Sequence, residues 1–375
     1  MKTWVEISKN NLIHNLKTFR SLIGPDVALM SVVKSNAYGH GLIETAKIAQ
    51  EEADWFGVDS VDEALELKKQ GIEKPILILG YTLNERLKDV VQNDFSQIVY
   101  NEDTIKKLGE LSNELNKKIN VHFKVETGTS RQGIGEEEII ERLKIVKQYP
   151  NLIIQGLSTH YANIEDTTDH TYAMKQLERF KDYIQLLKEQ GIDVPIKHTA
   201  CSAAIILFPE TYFDMVRAGI SQYGLWSSKE TLVSANGKAR KIELKPALAW
   251  KTRIAQVKEL EPGTPVSYGL TEKVSRKTKL AILPIGYWDG YDRHLSGMGN
   301  VLINGSRCKI LGRICMNMIM VDVTDVDEVK PEDEAVLLGR QGDEEITADE
   351  LAQKIGTINY EVVTRINPLI KRIIV

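Results

Sequence analysis

The chain has 375 residues, 27% of them charged and 42% hydrophobic, with a formal net charge of −4. That length suits two domains or one barrel with an appendage, and the slightly acidic balance excludes a surface that tracks a nucleic-acid backbone. No apolar run is long enough to span a bilayer, and Met1-Lys-Thr-Trp-Val-Glu-Ile7 lacks the apolar core of a signal peptide. The three cysteines, Cys201, Cys308 and Cys315, are odd in number and show no CxxC spacing. They fit a reducing, cytoplasmic location and argue against a structural zinc or any other metal site.

In chain order, a helical pattern over Ser8–Leu22 precedes the apolar run Ala28–Val33, which ends abruptly in Lys34. Seven more short apolar runs follow, at Trp55–Val58, Pro75–Leu79, Gln97–Tyr100, Val121–Val125, Ile153–Thr159, Pro195–Thr199 and Met215–Arg217. Helical patterns such as Val61–Lys69, Glu102–Asn116, Glu136–Gln148 and Asp169–Gln190 lie between them. Eight strand candidates with intervening helices are the number an α/β (β/α)8 barrel requires. The texture changes along the polar stretch Lys229–Lys241. Beyond it, strand-like runs at Ala247–Val257, Lys279–Leu283, Gly299–Ile303, Met318–Val323 and Ala335–Leu338 are separated by turn signals. Only Ala348–Ile355 reads as a helix there, with Thr347 as N-cap and Glu350 three residues on. The expected organisation is a barrel over residues 1–235 and a β-rich domain over 236–375.

Residues just past each barrel strand converge on one face, where chemistry is done in such folds. Walking that rim gives Lys34 and Tyr38, Lys124 leading to Arg131, His160, Ser202, and Arg217 with Gly219 and Ile220. A lysine at a strand end commonly does no more than solvate it, and a rim histidine is more often structural than catalytic. The combination is more informative: cations at several strand ends suit an anionic ligand, and a lysine emerging from an apolar wall offers a nucleophilic amine. The loops after the last two strands often bind phosphate in barrels. A phosphate site with a lysine across the barrel mouth points to pyridoxal 5'-phosphate, which needs a lysine for its Schiff base.

The segment Val33-Lys34-Ser-Asn-Ala-Tyr38-Gly-His-Gly41 resembles the cofactor-attachment segment of alanine racemases. Ordered matches continue through Trp4-Val-Glu-Ile7, Leu157-Ser-Thr-His160, Val216-Arg-Ala-Gly-Ile220, Val266-Ser-Tyr-Gly269, Leu283-Pro-Ile-Gly-Tyr287, Gly312-Arg-Ile-Cys-Met316 and Thr357-Ile-Asn-Tyr-Glu361. The resemblance implies an isomerase that interconverts L- and D-alanine with pyridoxal phosphate and supplies D-alanine for peptidoglycan. It also implies a homodimer whose active sites are shared across the interface. It assigns Lys34 as the cofactor lysine and the base for the D-enantiomer, and Tyr268 of the other subunit as the base for the L-enantiomer. Tyr38, Ser202, Gly219, Ile220 and Tyr360 match phosphate-binding positions, and Arg217 the arginine facing the pyridine nitrogen, with His160 linking it towards Tyr268. Arg131 and the Met316 segment match substrate-side positions, and Lys124 a lysine that is carbamylated in some members. Arg293, Arg313 and Glu165 match the entry corridor.

Five positions, in four segments, depart from the family pattern. Glu126 and Thr129 stand where aspartate and methionine are usual, Cys201 replaces the asparagine before the phosphate-binding serine, Asn317 replaces an aspartate, and Trp288 replaces a small residue. None alters Lys34 or Tyr268. Competing readings are a fold-related decarboxylase of basic amino acids, against which Arg217 argues, and a non-catalytic cofactor carrier, for which the β-rich domain would be superfluous.

Overall fold

A computed structural model describes residues 1–166, 168–237 and 241–375. Residues 238–240, inside the polar stretch read as the domain boundary, lie outside the described residues. Two compact units are present: residues 12–35 with 45–245, and residues 1–11 with 36–44 and 246–375.

The first unit is the expected barrel. Its eight parallel strands are Ala28–Val32, Trp55–Val58, Ile76–Ile78, Ser96–Val99, Ile119–Lys124, Leu152–Ser158, Ile196–His198 and Met215–Ala218. The first seven pair in sequence, and the last pairs with the first through Ala28↔Met215 to Ser31↔Ala218. The remaining seam is bridged where Arg217 N–H donates to Ala200 O at 3.0 Å and Asp214 N–H to Lys197 O at 3.1 Å. Val, Ile, Leu and Phe fill these strands because both faces of a barrel strand are covered, as at Leu29, Phe56, Leu77, Val121 and Leu157, all fully buried. The predicted helices appear with shifts at their ends: Lys9–Ile23, Val61–Lys69, Glu102–Glu114, Ile139–Val146 and Thr171–Glu189. No helix among the described residues is long and apolar enough to cross a membrane.

The second unit is β-rich. Its main sheet runs in the order Ser306–Lys309, Asn300–Ile303, Glu334–Gln341, Leu248–Arg253, Thr3–Ile7 and Arg372–Ile374. A separate three-stranded sheet comprises Gln256–Leu260, Thr278–Leu283 and Ile319–Asp322. The expected single run Ala247–Val257 is therefore two strands. At Ile254–Ala255 the chain leaves one sheet for the other, with Ile254 N–H donating to Asp333 O at 2.9 Å and Ala255 N–H to Ile282 O at 2.8 Å. The helix Ala348–Ile355 is capped as expected by Thr347, whose side chain accepts from Glu350 N–H. It is not the only helix after the polar stretch: Asn359–Thr364 forms another.

Lys34 opens a single turn, Lys34–Tyr38. Ser35, Asn36, Ala37 and Tyr38 have φ values of 55°, 55°, 53° and 52°, so the turn is left-handed. For L residues that conformation costs roughly 1–2 kcal/mol each, and it persists only where surroundings over-determine it. Asn36 supplies part of the compensation: its Oδ1 accepts from Leu42 N–H at 2.9 Å, capping the helix Leu42–Ala49. Arg372 supplies more. Its Nε and Nη2 donate to Gly39 O at 3.1 and 2.9 Å, while Nη1 holds Asn367 O and Ile370 O. Gly39 itself has φ 85°, and a Cβ there would lie 1.9 Å from Val363 O. Gly39→Ala is expected to destabilise the protein by at least about 2 kcal/mol, through left-handed strain plus a backbone collision. Thermal unfolding would show it as a fall in Tm, and an unchanged Tm would mean that this turn is not held against residues 363–364.

Candidate active site

At the carboxyl end of the barrel strands, Lys34, Lys124, Arg131, His160, Ser202, Arg217, Gly219 and Ile220 all belong to the barrel unit. Lys34 and the Gly219 loop follow adjacent strands, because Ala28–Val32 pairs directly with Met215–Ala218. The Lys34 side chain is 37% exposed, and its Nζ lies 3.6 Å from Asp59 Oδ1. The amine at the strand end is thus partly, not wholly, withdrawn from solvent. A half-exposed pair of this kind is worth about 0–1 kcal/mol and is readily exchanged for another partner.

Deeper in, Arg217 is only 8% exposed. Its Nη1 donates to His198 O and meets His198 Nδ1, both at 2.8 Å. Its Nη2 donates to Thr159 O at 2.8 Å and Thr199 O at 2.9 Å, and approaches His160 Nδ1 at 3.4 Å. Burial, then Arg217, Arg131, Lys124 and Lys34, pushes the His160 pKa well below the ordinary histidine value. Its imidazole is therefore neutral at working pH. Burial is also the main reason that Lys124 falls to about 8, aided by Arg131, Arg217 and Lys34. Lys124 donates to Gln132 Oε1 at 3.2 Å.

Beside these cations sits a cradle of small groups. Ser202 Oγ is buried and accepts from Gly219 N–H at 2.9 Å and Ser221 N–H at 3.3 Å, which leaves its hydroxyl hydrogen to donate elsewhere. Ile220 is 1% exposed. Burial pushes the preceding Cys201 thiol up, away from reactivity near neutral pH.

The departures at Glu126 and Thr129 have a structural reading. The Glu126 carboxylate accepts from the N–H groups of Gly128 at 2.5 Å, Thr129 at 2.7 Å and Arg131 at 3.3 Å, folding the loop that carries exposed Arg131. Thr129 Oγ1 donates to His160 O, tying that loop to the neighbouring strand end. Partial burial would raise the Glu126 pKa, but the loop N–H donors outweigh it and the net shift is downward. A depressed carboxyl pKa stabilises the folded loop above the ordinary glutamate value, and that contribution is lost as pH falls through the lowered one. Protection of the Gly128 and Thr129 amides against exchange, relative to the intrinsic rate at each pH, is accordingly expected to fall in that acid range and to hold above it. In Glu126→Gln exchange should be several-fold faster already at neutral pH, and equal protection in both proteins would remove Glu126 from this role.

The remaining predicted residues belong to the second unit. Tyr38 and Tyr360 face each other with ring centroids 6.1 Å apart. Tyr268 is 71% exposed on the turn Tyr268–Leu270. A Cβ on Gly269 would lie 2.9 Å from the Arg313 guanidinium, so glycine is needed for that arginine to pack there. Ser267 Oγ donates to Arg313 O at 2.5 Å and lies 3.6 Å from Cys315 Sγ. Tyr287 and Trp288 N–H donate to Cys315 O at 3.1 Å and Met316 O at 3.0 Å. Leu270, Met316, Met318 and Trp288 of the same unit are, like Tyr268, each more than half exposed.

Sequence reasoning missed Asp59, His122 and His198. His122 lies two positions before Lys124 on one strand and so shares its face. That period was the available signal; nothing local marked His198 as Arg217's partner.

The alanine racemase N-terminal domain family matches residues 7–227, and the alanine racemase C-terminal domain family matches residues 247–374. An alanine racemase of Methanococcus maripaludis is 40% identical over 372 residues, covering 99% of this chain and 98% of that protein. A crystal structure of alanine racemase from Bacillus anthracis with bound L-Ala-P superposes with a TM-score of 0.93 at 35% identity, covering 100% of this chain and 95% of the other. A histidine racemase from Leuconostoc mesenteroides subsp. sake reaches 0.90 at 28% identity, covering 100% and 98%. With the barrel, the β-rich unit and the rim cations already placed, these matches along nearly its whole length show that the chain belongs to the alanine racemase family of isomerases.

Proposed function

We propose that the chain racemises alanine with pyridoxal 5'-phosphate held in the barrel mouth, and that two bases, Lys34 and Tyr268 of a second copy, move the proton. The observation that carries this reading is the excess of cations around His160. Lys34, Lys124, Arg131 and Arg217 all depress its pKa, an arrangement that asks for an anionic ligand. The donor set fits the cofactor: an amine on a rim turn, a buried serine hydroxyl and glycine-bearing backbone beside it, and a guanidinium at the barrel interior. Ser202, Gly219 and Ile220 are the proposed phosphate binders, and the same role is proposed for Tyr38 and Tyr360. Arg217 is proposed to face the pyridine nitrogen and Arg131, with the Met316 segment, the substrate side. When bound, the cofactor supplies an electron-withdrawing ring that acidifies the substrate's α C–H bond.

Racemisation takes a proton from one face and returns one to the other, so two bases must flank the α-carbon. Both lysine and tyrosine hold their protons tightly near neutral pH, and the surroundings must help. His160 is neutral and accepts from Arg217 through Nδ1, so its Nε2–H is available to donate to a phenolate oxygen. Arg217 keeps its charge and therefore donates a hydrogen bond without giving up a proton. Tyr268, Leu270, Trp288, Met316 and Met318 of one unit are exposed large apolar side chains, of the kind that a partner covers, and a second copy of this chain is the proposed partner. A cytoplasmic setting and D-alanine supply for peptidoglycan complete the proposal. Incubation with L-alanine, L-serine and L-lysine separately, followed by chiral chromatography, tests it. D-alanine is the expected product, whereas a decarboxylated amine without any D-isomer would overturn the reading.

A further inference from the structure

Inside the barrel, below Arg217, two buried histidines continue its hydrogen bonds away from the rim. His198 and His122 are both 0% exposed. His198 Nδ1 lies 2.8 Å from Arg217 Nη1, and His198 Nε2 lies 2.9 Å from His122 Nδ1. His122 Nε2 lies 3.1 Å from Gln155 Oε1, which also accepts from Ser96 Oγ at 3.0 Å. Arginine can only donate, so His198 Nδ1 must present a lone pair and its proton must sit on Nε2. That proton faces His122 Nδ1, so His122 must carry its own on Nε2, where the Gln155 carbonyl oxygen receives it. Every tautomer in the chain follows from the charge on Arg217. Burial drives both imidazoles neutral, His122 to about 4 and His198 well below the ordinary value; Arg217 acts on both, and Lys124 and His122 on His198.

The backbone is shaped for this chain. Opposite His122 the strand register slips: Val121 pairs with Ile154, but His122 pairs with Gly156, leaving Gln155 as the extra residue of a bulge. Bulges re-aim side chains, and this one places the Gln155 amide at His122 Nε2. Gly156 provides the space, since a Cβ there would lie 2.1 Å from His122 Nδ1. Trp55 closes the other side in edge contact at 5.8 Å.

We propose that His122 is a positioning residue: by accepting the His198 Nε2 proton it keeps a lone pair aimed at Arg217, and so holds that guanidinium in place. Without that acceptor His198 can move its proton to Nδ1, which then meets Arg217 donor to donor and displaces it. The proposal rests on the reading that Arg217 faces the cofactor ring, and its test separates the two.

In the cofactor-loaded protein with 15N-labelled histidine side chains, NMR is expected to show His198 as the neutral Nε2–H tautomer. It should not titrate across about pH 5 to 8, where an ordinary histidine changes charge. His122→Leu should leave His198 in mixed tautomers and lower kcat about tenfold, the size expected for one lost buried hydrogen bond, with KM for alanine nearly unchanged. His122→Asn, whose Oδ1 can accept near the former Nδ1, should restore both tautomer and kcat. An Nδ1–H tautomer in the unsubstituted protein overturns the proposal without any variant. Retention of tautomer and kcat in His122→Leu also overturns it. If the racemase reading itself fails, the unsubstituted protein makes no D-alanine while the tautomer measurement still stands.

Discussion

Lys34→Ala is expected to abolish racemisation, by at least about 10³-fold, because one side chain supplies both the cofactor's covalent anchor and one of two proton-transfer groups. The unsubstituted protein, reduced with borohydride after loading, should carry the cofactor on the peptide containing Lys34, and the variant should carry none. The fold should survive, since the Lys34 side chain is 37% exposed and its ion pair with Asp59, at 3.6 Å, is itself partly exposed. Unchanged kcat in a folded variant, or trapping at another lysine, would remove Lys34 from the centre of the site. Lys124 is the nearest alternative, since burial and neighbouring cations bring its pKa down to about 8.

Tyr268→Phe is expected to slow α-proton exchange from L-alanine by about 10²–10⁴-fold, the usual contribution of a positioned acid–base group. Borohydride trapping on Lys34 should be untouched. Exchange measured separately from each enantiomer is the informative quantity, because equilibrium ties the two kcat/KM values together. A mixture with Lys34→Ala tests whether the tyrosine acts across a subunit boundary. In a two-fold dimer with shared sites, a hybrid of the two variants has one intact site, so subunit exchange at equal amounts should restore about a quarter of the original activity. No recovery despite demonstrated hybrid formation would mean that each site takes both bases from one chain. Tyr268 is 71% exposed, so a loss of stability is not expected to obscure the result.

The site's outline was legible in the sequence because its members sit at the ends of short apolar runs, and a continuous apolar run with an abrupt polar end is a local signal. Lys34, Lys124, His160 and Arg217 were all found that way, and the structure keeps them together in the barrel unit. Asp59 was not found, since its pairing with Lys34 joins two different strand ends. The turn after Lys34 was not legible: Ser35–Tyr38 are four consecutive left-handed residues, and of these only Asn36 is a type that favours that region.

By itself the sequence determined the barrel's eight strands and the change to β-rich texture, and it singled out Lys34 and Tyr268 as candidates. Each of these is written in neighbouring residues, through hydrophobic period, turn chemistry or a contiguous motif. Only the tertiary structure decided that Thr3–Ile7 pairs with Leu248–Arg253, that residues 36–44 cluster with the second unit, and that Gly156 opens space for His122. Those arrangements join residues far apart in sequence or depend on a register slip, and no local period records them. The tautomers inferred for His198 and His122 also depend on tertiary structure, because the donor-only guanidinium of Arg217 constrains them through successive buried hydrogen bonds.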